Sequence, residues 1–182
     1  MTSCGLPFFL EDQTGELTGS EFVDLYNRMR LSLRCTLRDA AHTAYMVYDT
    51  SARPHALGAP LACLDFAANH ALGTVKIGAR DAVPMGEYLV KAGALGGQKS
   101  RKFRAADGQE YRWTHQRKGD EEWSCTNASD YHVASYCLKS PDEPKYAGSS
   151  GCVLTVEESY SNIVGELLAS LIIMRHIAKY NL

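Results

Sequence analysis

Between residues 28 and 38 apolar and polar side chains alternate without a break. Met29, Leu31, Leu33, Cys35 and Leu37 are set against Arg30, Ser32, Arg34, Thr36 and Arg38. Successive side chains on a strand point to opposite faces, so this run predicts a half-buried strand with one wet face. Residues 42–49 (HTAYMVYD) follow as its expected hairpin partner. Further short apolar runs at 61–66, 74–77, 85–90, 99–105, 109–116, 121–125, 130–138 and 152–156 are separated by Gly, Pro, Asn and Asp, and predict more strands. Residues 20–27 and 8–10 are weaker strand candidates, and 1–19 otherwise reads as weakly ordered. Segments 50–60, 92–98 and 140–151 carry the turn residues of loops. About eleven short strands at regular spacing are the pattern of an all-β barrel or sandwich.

The pattern changes at the C-terminal end. From Leu167 to Met174 the only polar side chain is Ser170. At about 100° per residue, Leu167, Leu168, Leu171, Ile172, Ile173 and Met174 point in every direction and leave no face for water. Such a helix either spans a membrane or fills the centre of a fold. A span needs roughly 20 apolar residues, and Glu166 and Arg175 bracket fewer. Residues 157–182 therefore predict a central helix enclosed by the preceding strands, in one domain covering 1–182. Gly165 costs roughly 1 kcal/mol inside a helix relative to alanine, which predicts close approach of a strand backbone at that point.

Side-chain faces set the register of one hairpin. Phe103, Tyr111 and Trp113 share a buried face only if Ala105 pairs with Gln109, which leaves Ala106, Asp107 and Gly108 as a three-residue loop. Gly108 supplies the left-handed residue such a loop needs. This places Arg104 opposite Glu110 and Lys102 opposite Arg112. Residues 99–118 hold seven basic and two acidic side chains, +5 in all, against −2 for the whole chain and so −7 for the remainder. This segregation has two readings. One is a solvated face neutralised by the acidic residues at 120–122. The other is a patch that attracts phospholipid headgroups, with Lys102, Arg104, Arg112, Arg117 and Lys118 as the ligand-binding residues.

Composition adds mostly exclusions. Hydrophobic content of 45% and charged content of 22% are ordinary for a globular domain, and the small net charge predicts no attraction to nucleic acid. The start of the chain lacks the basic and apolar regions of a secretory signal, and no transmembrane segment is expected. Six dispersed cysteines without a C-x-x-C pair predict no zinc site; reduced core thiols are the first reading, and a disulfide framework in an exported protein is the other. The run from Gly93 to Ser100 lacks the glycine that a phosphate loop needs at Gln98, and a strand follows where the motif needs a helix. His132 with Cys137, and His115 with Cys125, are the pairs that could meet across strands, and nothing in the sequence orients either one. No catalytic residue, metal ligand or cofactor is expected.

The run Arg101-Lys102-Phe103, then Asp107-Gly108-Gln109-Glu110-Tyr111-Arg112-Trp113, a late strand and an apolar C-terminal helix resemble an uncharacterised fungal domain family. That family is related to the tubby C-terminal-like proteins, which include the LURP-one-related proteins and the phospholipid scramblases. The resemblance runs from about residue 20 onward. It implies a mainly β (α+β) fold, a closed antiparallel barrel of about twelve strands around the hydrophobic C-terminal helix. Tubby-like members bind phosphoinositides through basic barrel residues, which have no position-by-position match here. The expected function is a non-enzymatic, cytoplasmic binding domain, peripheral at membranes, whose partner is an anionic membrane lipid or a protein. The rival expectations are a structural or protein-interaction module, and a carrier or enzyme with a barrel-mouth pocket lined by His115 or His132.

Overall fold

In the computed structural model the described residues are 5–52, 58–93, 100–115, 121–137 and 150–182. They form thirteen strands: β1 (Phe8–Asp12), β2 (Gly19–Asp24), β3 (Arg30–Arg38), β4 (His42–Asp49), β5 (Ala62–Ala67), β6 (Thr74–Ile77), β7 (Val83–Pro84), β8 (Val90–Lys91), β9 (Ser100–Arg104), β10 (Glu110–His115), β11 (Glu121–Asn127), β12 (His132–Cys137) and β13 (Cys152–Val156). A single turn of helix, α1 (Met85–Tyr88), separates β7 from β8, and the long helix α2 (Val164–Tyr180) ends the chain. All thirteen strands join one antiparallel sheet, in which consecutive strands pair except β7 and β8, and β1 also pairs with β13. The edges are β7 and β8. No ladder joins them, so hydrogen bonds do not close the sheet as the sequence reading expected.

The sheet curls around α2. Thirteen of its seventeen residues are buried, and strands meet it on several sides. Trp113 of β10 donates to Ser170 Oγ at 2.8 Å, Phe66 of β5 stacks on His176, and Arg175 lies over the Tyr136 ring of β12. The stretch Glu158–Tyr180 is long and apolar enough to cross a membrane, yet 72% of its most apolar window is buried inside the protein. Gly165 has a different explanation from the expected one. A Cβ there would lie 2.6 Å from Cδ1 of Leu61, so a side chain, not a strand backbone, presses on the helix.

Several other expectations change. Residues 85–90 form a helical turn and β8 instead of one strand. Met85 and Leu89 are both fully buried, and Leu89 N bonds Met85 O at 2.9 Å, which is the period of a helix. β1 is an interior strand, longer than predicted, with Phe8, Leu10 and Asp12 facing inward. In β3 the expected apolar face fails halfway. Leu31 and Leu33 are buried, but Cys35 is exposed and Leu37 is 49% exposed. The pairing shifts between Cys35 and Leu37, which disturbs the alternation. Cys35 also pairs with Tyr45, which meets α2 through Phe66 only at the level of its last turns. At that level the β3–β4 turn and the last turns of α2 border a cavity instead of packing on each other.

The hairpin β9–β10 has the predicted register. Ala105 N bonds Gln109 O at 2.9 Å, Gly108 adopts φ +80°, and Arg104 and Lys102 lie opposite Glu110 and Arg112.

Candidate ligand-binding mouth

The basic hairpin is less free than its composition implied. Lys102 Nζ lies 3.1 Å from Glu110, and Arg112 Nη2 lies 2.5 Å from Asp130. Arg104 is exposed and donates to the Gly108 carbonyl at 3.2 Å. Arg101, counted with the patch from sequence, faces inward at 5% exposure and donates to the Leu89 carbonyl. Burial pulls its pKa below the usual arginine range. Arg117 and Lys118 lie outside the described residues, as do Lys99 and most of the glycine-rich run before it. A cavity of about 290 Å³ adjoins the hairpin, where Lys102 and Arg112 alternate with Glu110 and Asp130, so charge is matched locally.

The two histidine–cysteine pairs that the sequence left open are not hydrogen-bonded pairs among the described contacts. His132 and Cys137 stand at opposite ends of β12, and His132 Nδ1 lies 3.6 Å from Glu157 instead. His115 packs on the Trp123 ring at 4.6 Å. Cys125 is fully buried, and that burial pushes its thiol well above the ordinary range, which opposes thiolate chemistry.

A partly enclosed collection of polar and aromatic groups lies at the C-terminal end of α2. It is a cavity of about 400 Å³ lined by the β3–β4 turn, the end of β5 with the turn after it, and the last turns of the helix. The turn after β5 is backbone-strained: Asn69 and His70 have φ of +55° and +62°, and neither is glycine. Strain of this kind costs roughly 1–3 kcal/mol per residue and persists only where the surroundings hold it. Two contacts from α2 do so here. His176 Nε2–H donates to the His70 carbonyl at 2.8 Å, and the Tyr180 ring lies parallel to the His70 ring at 3.9 Å.

His176 is 8% exposed and its ring stacks on Phe66 at 4.0 Å. Burial lowers its pKa, and His70 and Lys179 lower it further against the opposing effect of the hydrogen bond. The neutral ring carries its proton on Nε2, which leaves Nδ1 as an acceptor. A histidine whose folded pKa lies below the unfolded value of 6.5 stabilises the fold fully above that value. It loses the contribution as pH falls through the folded pKa. Thermal melts between pH 8 and pH 5 should therefore show stability falling with acidification, and the fall should be shallower in His176→Gln.

Two cations complete the mouth. Arg38 Nη2 donates to the Tyr45 hydroxyl at 3.3 Å, and Lys179 Nζ lies 5.5 Å from the centre of the Tyr180 ring. Among the described residues neither has a carboxylate partner. The carboxylate of Asp39, which also lines the cavity, instead accepts from the backbone N–H groups of His42 and Ala41, which lower its pKa. His42 is engaged with Asp65 at 3.1 Å. Sequence reasoning missed Arg38, His70, His176 and Lys179, because no motif spacing links them. The one local signal was a histidine next to Arg175 inside an apolar helix.

The opposite end of α2 is a structural anchor. Glu166 accepts from Arg80 at 2.5 Å, from the Tyr88 hydroxyl at 2.8 Å and from Ala106 N at 2.7 Å.

Residues 32–180 match the model of a family of unknown function, DUF6593. The chain belongs to that family. The DUF6593 match opens within β3 and closes on the last residue of α2, so it takes in the mouth except for the β1–β2 loop. No curated protein and no solved structure matches the chain. Membership of DUF6593 does not in itself connect the chain to the tubby C-terminal-like proteins.

Proposed function

We propose that this DUF6593 domain is a non-enzymatic binding module that holds a small anionic molecule in the mouth at the C-terminal end of α2. One observation carries the reading: Arg38 and Lys179 line an aromatic cavity, and among the described residues neither is paired with a carboxylate. Leaving the histidines out of the count, Arg38, Lys179 and Asp39 give the lining a charge of +1. A volume of about 400 Å³ falls within the usual range of roughly 300–1,000 Å³ for small-molecule sites. The architecture in this reading is a barrel of the tubby C-terminal-like kind, with α1 standing across the β7–β8 seam. Its support is the burial of Met85 and Leu89 at that seam.

An anionic phospholipid headgroup at the hairpin is the second reading, favoured by Arg104, which is exposed and has no carboxylate partner among the described residues. Against it, Lys102 and Arg112 would have to leave Glu110 and Asp130. Such exposed pairs are worth roughly 0–1 kcal/mol, so the hindrance is small.

Titration with inorganic phosphate, followed residue by residue by NMR at low salt, separates the two readings. The first expects shifts at His70, His176 and Tyr180 that vanish in the Arg38→Glu/Lys179→Glu variant and weaken as salt screens the charges. Vesicles containing phosphoinositide should leave those residues unmoved. Shifts confined to residues 102–112 would replace the mouth with the hairpin, and no shift at either place would overturn both.

A further inference from the structure

The rings at the mouth form a continuous series. Tyr45 meets Phe66 edge-on at 6.0 Å, Phe66 stacks on His176, His176 tilts against Tyr180 at 4.7 Å, and Tyr180 lies flat on His70 with an interplanar angle of 6°. His70 ends the series. It is exposed, and the parallel stack on Tyr180 occupies one side of its ring. Its backbone is held left-handed, together with that of Asn69, by hydrogen bonding and stacking from α2. The turn's own hydrogen bonds and the contacts from α2 together hold the imidazole in the lining of the cavity.

We propose that the anion held at the mouth is a planar aromatic one: a heteroaromatic ring stacked on the open side of His70, with its phosphate or carboxylate between Arg38 and Lys179. This rests on the mouth reading given above and narrows it. An aliphatic anion would use the two cations and leave the end of the ring series bare. A planar ring extends the series by one member and places its own charge toward the rim. Asn69, whose amide can both donate and accept, lines the same cavity and suits the polar edge of a heterocycle. At about 400 Å³ the cavity accommodates one ring, a short linker and one anionic group, the size of a nucleoside monophosphate.

The test compares three probes on the full chain by isothermal titration calorimetry: AMP, ribose 5-phosphate (the anion without the ring) and adenosine (the ring without the anion). AMP is expected to bind about tenfold or more tighter than ribose 5-phosphate, in keeping with the strength of base–aromatic stacking, and tighter than adenosine, which lacks the anion that Arg38 and Lys179 would hold. His70→Gly tolerates the left-handed backbone and removes the ring. It should bring AMP down to the affinity of ribose 5-phosphate while leaving ribose 5-phosphate unchanged. Equal affinities for AMP and ribose 5-phosphate in the unaltered protein would overturn the aromatic inference and leave the anionic mouth standing. Unaltered AMP affinity in a folded His70→Gly would overturn it as well. Absence of binding by all three, together with no response to inorganic phosphate, would remove the mouth reading itself. The wild-type comparison needs no variant, so a misfolded His70→Gly still leaves the inference decidable.

Discussion

Asp12→Ala should destabilise the fold by about 3–5 kcal/mol, the usual cost of removing one member of a buried ion pair. Asp12 is fully buried at the end of β1. One carboxylate oxygen accepts from Ser20 Oγ at 2.5 Å and from Gly15 N at 2.9 Å. The other accepts from the Tyr136 hydroxyl at 2.8 Å and lies 3.6 Å from Arg175 Nη1. Arg175 is itself enclosed, donating to the Gly15 carbonyl and lying over the Tyr136 ring. Alanine would leave a guanidinium without its counter-charge and take from the Tyr136 hydroxyl its carboxylate acceptor, while Ser20 Oγ would keep only the Glu21 carbonyl at 3.3 Å. Arg175→Met should cost less, because Asp12 keeps three donors. The double variant Asp12→Leu/Arg175→Met should be more stable than Asp12→Ala alone, since no charge is then stranded. Urea unfolding at constant m-value measures all three. A loss below about 1 kcal/mol for Asp12→Ala would mean that water reaches Arg175 and that the pair is not buried in solution.

That pair also explains what a reader of the sequence could and could not see. α2 was legible because apolar residues on every face admit few environments. The β9–β10 register was legible because three large side chains had to share one face, and Gly108 fitted one loop length. Asp12 ended the predicted first strand early, since a carboxylate reads as surface when its partner Arg175 sits at the other end of the chain. Arg101 was counted in the charge of the hairpin, although the register puts it opposite Trp113 on the inner face. Cys35 and Leu37 continued a perfect alternation, but alternation cannot report where the enclosed helix stops. The mouth was illegible because its residues come from separate segments. Arg38, His70, His176 and Lys179 share no spacing rule and meet only when the sheet has curled around α2.

Trp113→Ala should cost about 3–5 kcal/mol, as expected for emptying a buried aromatic site, and the interest lies in the milder variants. Trp113 is fully buried on β10, and its indole N–H donates to Ser170 Oγ at 2.8 Å, while Ser170 passes its own proton to the Leu167 carbonyl at 2.9 Å. Trp113→Phe keeps most of the buried ring and leaves Ser170 satisfied by Leu167, so a loss of about 1–2 kcal/mol is expected. Ser170→Ala removes less volume yet leaves the indole N–H buried and unpaired, which costs about 1–3 kcal/mol. The second consequence of Ser170→Ala concerns uniqueness. Apolar burial alone selects no rotation for a helix that is apolar all round. Glu166 near one end ties α2 to α1 and two neighbouring turns, while Ser170 and Arg175 tie it to β10 and β1. Loss of the central tie should broaden the amide resonances of Leu167–Met174 and reduce the near-ultraviolet circular dichroism of Trp113 well below the unfolding temperature. Sharp resonances and an unchanged spectrum would show that side-chain packing by itself fixes the orientation of the helix.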